Sequence, residues 1–263
     1  MGLNPDGVAS LDTTRPNVAR VWDYWLGGKD NFAADRALAE KMLSINPLAA
    51  QMARENRQFL YRSVGYVTQA GIRQFIDVGA GLPTADNTHE IAQRIAPDAK
   101  VAYLDHDALV VRHADALLAR SHSVIALGGD ARDPRAILAD PDLNKLIDFT
   151  QPVCVVLCGV LHFLDLETSR EAVATFVEAI TPGSYVILTV GVGNEDLSSD
   201  FVAAYKAANL QIYSLEEFTS FFAGLDLVPP GVVPAQGWTG DDEPLALESR
   251  SASFLVGVGR KTR

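Results

Sequence analysis

The stretch Phe75-Ile76-Asp77-Val78-Gly79-Ala80-Gly81-Leu82-Pro83-Thr84 decides the fold. An apolar, strand-like run ends in Gly-x-Gly, and a helical pattern follows over Thr84–Ile95. Glycines at the carboxyl end of a strand let a ligand approach the backbone, and the helix start beyond them offers N–H groups that have no partner inside the helix. A plain structural turn is the competing reading. A dinucleotide site would carry a third glycine where Thr84 stands, which weighs against an NAD(P)-dependent oxidoreductase. Asp77 would repel a pyrophosphate, so a cation or an amino group suits this strand end better.

Outward from this loop the chain alternates. Apolar runs at Ile72–Val78, Lys100–Asp105, Ser123–Leu127, Pro152–Cys158 and Ser184–Val190 are separated by helical patterns at Thr84–Ile95, Ala108–Ala119, Pro134–Leu146 and Thr168–Ile180. That rhythm predicts an α/β fold, a Rossmann-like parallel sheet covered by helices on both faces through right-handed crossovers. Residues up to Ala70 read as helices instead: Asn17–Leu26, Ala33–Ser44 and Pro47–Gln69, with Pro47 in a first helical turn and a Gly-led turn at Gly27–Asn31. The expected organisation is a helical cap over residues 1–70 and a sheet domain over 71–263, together one compact unit. Late in the chain, helices at Ser198–Ala208 and Leu215–Ala223 precede two strand-like runs, Leu225–Pro234 and Ser253–Arg260, that could pair as a hairpin.

Composition removes other classes. With 263 residues, 48% of them hydrophobic and 21% charged, the chain can bury a full core. A net charge of −11 lowers the expectation of duplex nucleic-acid binding, which needs Lys and Arg to displace counterions. No apolar run reaches the roughly 18 residues of a membrane span, and Met1–Ser10 lacks the basic-then-apolar plan of a secretory signal. Cys154 and Cys158 sit in one strand-like run, about 13 Å apart if extended, which is too far for a disulfide. No Cys/His cluster has zinc spacing. The expectation is a cytoplasmic, metal-free protein that avoids membranes and nucleic acid, with its oligomeric state open.

Three strand ends carry acids. Beyond Asp77, the second run ends in Asp105-His106-Asp107, where a carboxylate can accept both hydroxyls of a ribose. The third is followed by Asp130-Ala131-Arg132-Asp133-Pro134, where Asp130 can meet an adenine amino group and the Ala131 N–H a ring nitrogen. Helix capping competes at each place, and fits Asp107 and Asp133 best. Together the three acids point to one nucleoside across the carboxyl edge of the sheet. At the fourth strand end, Gly159 permits close approach and His162 lies near the open edge, although a lone His is more often structural.

Taken together, these residues resemble a class I S-adenosylmethionine-dependent methyltransferase. The likeness is closest to an actinobacterial-type S-adenosyl methyltransferase family long catalogued as a domain of unknown function. It is carried by Arg15-Pro16-Asn17-Val18-Ala19-Arg20-Val21-Trp22-Asp23-Tyr24-Trp25-Leu26-Gly27-Gly28-Lys29-Asp30-Asn31-Phe32, by Glu55–Leu60, by the Asp77–Thr84 loop and by Val160-Leu161-His162-Phe163. Family patterns usually have Tyr-Leu-Leu at Tyr24–Leu26 and Asn-Asp at His106-Asp107, so His106 alters the packing expected beside the adenosine. The resemblance implies a seven-stranded sheet with one antiparallel strand near the C-terminus, and S-adenosylmethionine as cofactor. It implies Asp77 at the cofactor's amino-acid end, the Gly79–Gly81 backbone (with Ala80) beneath the methionine moiety, Asp105 on the ribose, and Asp130 and Ala131 on adenine, with His106, Arg132 and Gly159 alongside. Lys29, Asn31 and Arg57 could reach the methionine carboxylate, and a Lys or Arg there makes charge-assisted hydrogen bonds. Trp22 and Trp25, three apart on one helical face, suit core packing first and cap contacts to ligand second.

The acceptor would be a small molecule. A general base is needed only if the accepting atom carries a proton, and His162 and Tyr24 are the candidates. A non-catalytic sensor of the same adenosyl ligand is the rival reading on this fold. Charge distribution favours a neutral or cationic acceptor: residues 1–70 sum to +1, residues 71–150 to −4 and residues 151–263 to −8, the last including Asp241-Asp242-Glu243.

Overall fold

The computed structural model describes residues 12–83, 86–112, 122–191, 210–241 and 254–263. The expected helix at Ser198–Ala208, and Thr84, Asp242 and Glu243, lie outside them. Five parallel strands form the body of the sheet: β1 (Gln74–Val78), β2 (Lys100–Asp105), β3 (Val124–Gly128), β4 (Cys154–Cys158) and β5 (Tyr185–Gly191). The last strand, β8 (Phe254–Arg260), runs antiparallel to β5 and also pairs with two short pieces, β6 (Asp226–Leu227) and β7 (Val233–Pro234). The order is β3-β2-β1-β4-β5-β8-β6, with β7 on β8. The reversed strand separates this sheet from the wholly parallel dinucleotide order. Among the described residues the strands number eight rather than seven, because Leu225–Pro234 is not one strand: a turn through Pro229-Pro230-Gly231 divides it into two stubs.

Alternation along the strands sorts the core into two layers, as a pleat of period two requires. Phe75, Val101, Tyr103, Val156 and Ile187 share one face, and Ile76, Ala102, Leu104, Val155 and Leu188 the other. The first face is covered by α3 (Ala49–Gln69) and α4 (Thr88–Ile95), α3 burying Phe59, Leu60, Val64 and Val67 at helical spacing. The second is covered chiefly by α7 (Leu166–Ala179), through Val173 and Phe176, and by α8 (Leu215–Ser220). Between β3 and β4 the expected single helix is two, α5 (Pro134–Leu138) and α6 (Pro141–Leu146), since Asp140-Pro141 ends one and caps the next.

The N-terminal third holds α1 (Val18–Trp25) and α2 (Ala33–Ile45), with no strand among its described residues. With the start of α3 they enclose a small core of Val21, Trp25, Ala39, Ala49 and Ala53. A buried ion pair fastens them: Arg20 Nε lies 2.8 Å from Asp35 Oδ2, and Asp35 also accepts the backbone N–H groups of Asn17 and Phe32. So α3 serves twice, its first turns building the cap and its remainder the sheet layer. It begins at Ala49 rather than at Pro47, after a turn in which Asn46 accepts the Leu48 N–H.

Candidate functional site

The carboxyl ends of β1, β2 and β3 stand side by side, with Val78 opposite Leu104 and Asp105 opposite Gly128. Asp77 shares the pleat side of Phe75, so it points toward α3 and α4 and accepts a 2.6 Å hydrogen bond from Thr88 Oγ1. It is buried, and burial pushes its carboxyl up to about 6, against the opposing pull of Thr88 and of Arg57. Arg57, on α3, is itself largely buried, which lowers its pKa, and its Nη2 donates to Asn87 at 3.1 Å. An acid and an arginine thus face one space from two helical and strand supports.

After Val78 the chain turns through Gly79 (φ +70°) and Gly81 (φ +67°). A Cβ at Gly79 would overlap Val160 Cγ2, so glycine is required there by contact as well as by conformation. The Gly79 and Ala80 N–H groups donate to Leu104 O at 2.7 and 3.1 Å, and Gly81 N donates to Asp105 Oδ2 at 3.0 Å. Asp105 Oδ1 receives the Asp107 N–H at 2.9 Å, with His106 Nδ1 3.3 Å away, a contact that raises the His106 pKa. Asp105 Oδ2, with the Gly81 N–H on it, keeps a lone pair for a further donor. The helix α4 starts at Thr88, where Asn87 and Glu90 form its capping box, later than the expected Thr84.

Asp107 and Asp133 cap, as expected: Asp107 Oδ1 accepts Leu109 N at 2.8 Å and Asp133 accepts Ala136 N at 3.0 Å. Asp130 is gripped by Arg132, whose Nε lies 2.9 Å from both carboxylate oxygens, and this holds the Asp130 carboxyl below its ordinary range.

A cleft of about 360 Å³ runs over these strand ends, roofed by α1 and α3. Asp77, Gly79, Ala80, Gly81, Asp105, His106, Asp130, Ala131, Arg132, Gly159 and Arg57 all line it. Lys29 and Asn31 do not. Lys29 is exposed, and Asn31 is spent on its own turn, donating to Asp23 Oδ2 at 2.8 Å and to Gly28 O at 3.1 Å. Tyr24 also stays outside, its hydroxyl 3.3 Å from Glu40. His162 is buried behind the cleft, in the wall of a second cavity; burial holds its pKa to about 3.

Asn17, Trp22 and Asn56 also line the cleft; of these the sequence points only Trp22 toward a ligand, and as a second role behind packing. Asn17 caps α1 and its Nδ2 donates to Asp107 Oδ2 at 2.5 Å, joining the cap to the tip of β2. Its position before Val18 carries an N-cap signature. Trp22 lies over Gly159, its Cη2 3.6 Å from where a Cβ would stand, and Asn56 Nδ2 is equally close. Asn56 Oδ1 is buried with no hydrogen-bond partner among the described residues.

The chain belongs to the S-adenosyl methyltransferase family, whose model matches residues 5–262. It is similar to the crystal structure of a candidate methyltransferase from Thermobifida fusca YX (40% identity, TM-score 0.89), covering 96% of this chain and 97% of that one. It is similar also to a DUF574 family protein from Streptomyces avermitilis MA-4680 (32% identity, TM-score 0.87), covering 95% and 99%. The N-methyltransferase NodS of Bradyrhizobium japonicum WM9, at 13% identity, TM-score 0.51 and coverage of 79% and 97%, shares the fold. No curated protein matches the chain.

Proposed function

We propose that the chain binds S-adenosylmethionine in the cleft over β1–β3 and transfers its methyl group to a small-molecule acceptor. The observation that carries this reading is the row of Asp77, Asp105 and Asp130 across three adjacent strand ends, under one roof. The donor set fits the group. Asp105 Oδ2 has a lone pair left for one ribose hydroxyl and Oδ1 can take the second in place of the exposed His106 imidazole, and Asp130 can accept from an adenine amino group while Arg132 balances its charge. The ionised Asp77 and the Asn56 Oδ1 suit an ammonium, and the Arg57 guanidinium suits a carboxylate.

When bound, the cofactor supplies a methyl group on an electron-poor sulfonium. The protein's part is orientation and exclusion of water, and the Trp22 ring over Gly159 is placed for both. His162, with its pKa near 3, is too weak a base to draw a proton from an alcohol, so it serves as a neutral wall. An acceptor here brings its own lone pair or an already acidic proton. The acidic excess of −8 over residues 151–263 argues against a polyanionic acceptor. Among the described residues, no helix is long and apolar enough to cross a membrane.

Titration calorimetry of the full chain with S-adenosylmethionine and with S-adenosylhomocysteine tests the cleft. Saturable binding at one site per chain is expected, and no heat with either ligand would sink the reading. Incubation with methyl-labelled cofactor and cell extract then separates enzyme from sensor. Transfer of label is expected; tight retention with no labelled product would make the chain a sensor.

A further inference from the structure

Beside the cleft lies a second cavity, of about 460 Å³, under α1 and α2. The two spaces share Val18, Trp22, Ala53 and Phe163 in their walls, so they are neighbours. Its size is that of an ordinary small-molecule site, whose volumes run about 300–1,000 Å³. Its chemistry is the reverse of the cleft's. Trp22, Trp25, Met42, Met52, Phe163 and Phe254 supply aromatic rings and thioethers, and among the described residues no Asp or Glu lines it.

The polar groups in its wall are few and neutral, apart from one at the rim. Asn46 is buried and already engaged: its Oδ1 accepts the Leu48 N–H at 3.1 Å and its Nδ2 faces Met52 Sδ at 3.5 Å. His162 packs against Phe163, ring centroids 4.4 Å apart, and against Phe254 at 5.8 Å. Burial keeps its imidazole uncharged. Lys41 is exposed, and its ammonium can remain in water. A cationic guest would find no carboxylate inside, only ring faces, whose attraction for a cation falls short of the cost of desolvating a primary ammonium.

We propose that this second cavity is the acceptor site and that the acceptor is an uncharged, largely apolar molecule of fused-ring size. The acceptor role rests on the reading of the neighbouring cleft as the methyl-donor site; the apolar preference does not. It narrows the neutral-or-cationic expectation drawn from charge distribution to the neutral branch.

Equilibrium dialysis of the full chain against three isosteric probes tests it: 2-naphthalenemethanol, 2-naphthylmethylammonium and 2-naphthoate. The neutral probe should be retained, and both ions held at least about tenfold more weakly. Met42→Trp, or Ala49→Phe from the opposite helix, fills the cavity and should remove retention while S-adenosylhomocysteine binding by calorimetry is unchanged. No retention of the neutral probe, equal or tighter retention of the cation, or retention indifferent to both fillings in folded variants would overturn the proposal. Should neither variant fold, the charge series on the unaltered chain decides. Loss of S-adenosylhomocysteine binding in the unaltered chain, with the neutral probe still retained, would end the donor reading and the acceptor role, leaving an apolar site.

Discussion

The cleft over β1–β3 and the cavity beneath α1 and α2 touch at Trp22 and are built on opposite principles. The cleft is edged by carboxylates whose positions are fixed by backbone hydrogen bonds, such as Gly81 N and Asp107 N on Asp105. The cavity is walled by side chains positioned by packing, in which a ring or a thioether can shift with little loss. Directional polar contacts select one ligand; an apolar wall grades ligands by size and charge. On the proposed reading, the donor is fixed by the cleft and the acceptor is chosen by fit in the cavity.

Four measurements would break or sharpen that contrast. The largest effect should come from Asp105→Ala, which removes the carboxylate proposed for the ribose and releases the Gly81 N–H: about 3–4 kcal/mol, or a 100- to 1,000-fold loss of S-adenosylhomocysteine affinity by calorimetry. Retention of 2-naphthalenemethanol should be unchanged, and a parallel loss would mean that the two spaces are one site. Next, Gly79→Ala should lower unfolding free energy by about 2–3 kcal/mol in urea titrations, from a positive φ and a clash with Val160. Adding Val160→Ala should recover part of it; full additivity would refute the contact.

The third is pH. Asp77, pushed up to about 6 by burial, is mostly ionised at pH 7 and protonated below 6. An ammonium partner needs the anion, so cleft affinity should fall toward about tenfold per unit below pH 6. The same shift has a stability sign: between about pH 4 and 6 the folded chain holds this proton more tightly than the unfolded one, so this contribution declines as pH rises. His162, held to about 3, stays neutral throughout, so neutral-probe retention should be flat. A cleft affinity independent of pH would remove Asp77 from ligand contact. The smallest effect belongs to Lys41→Ala, expected within about 0.5 kcal/mol on stability and without effect on the neutral probe. A large loss of probe retention would move the cation from the rim into the site.

Much of this was legible in the chain because the physics is local. Strand runs such as Lys100–Asp105 are buried on both faces and read as continuous apolar stretches, and an acid closing such a run has few reasons to be there. The late strands were legible in part. Leu225–Pro234 does pair antiparallel with β8, as expected, but only through residues 226–227 and 233–234, because the turn at Pro229-Pro230-Gly231 lifts the middle of the run away. The start of α4 was misread because a capping box at Asn87 outweighs the pull of a Gly-x-Gly loop. Lys29 and Asn31 carry the right chemistry for a carboxylate, but Asp23 claims Asn31 within the same turn. The apolar cavity had no signature at all, since Trp, Met and Phe in its wall are the residues any core would use.

Trp22 stands in both walls. Two ligands that both bear on Trp22 would be thermodynamically linked: any factor by which the first changes the second's affinity is returned in the other direction. A preferred order of arrival, donor before acceptor or the reverse, would then be written in a single turn of α1 and readable as a coupling energy between two dialysis curves.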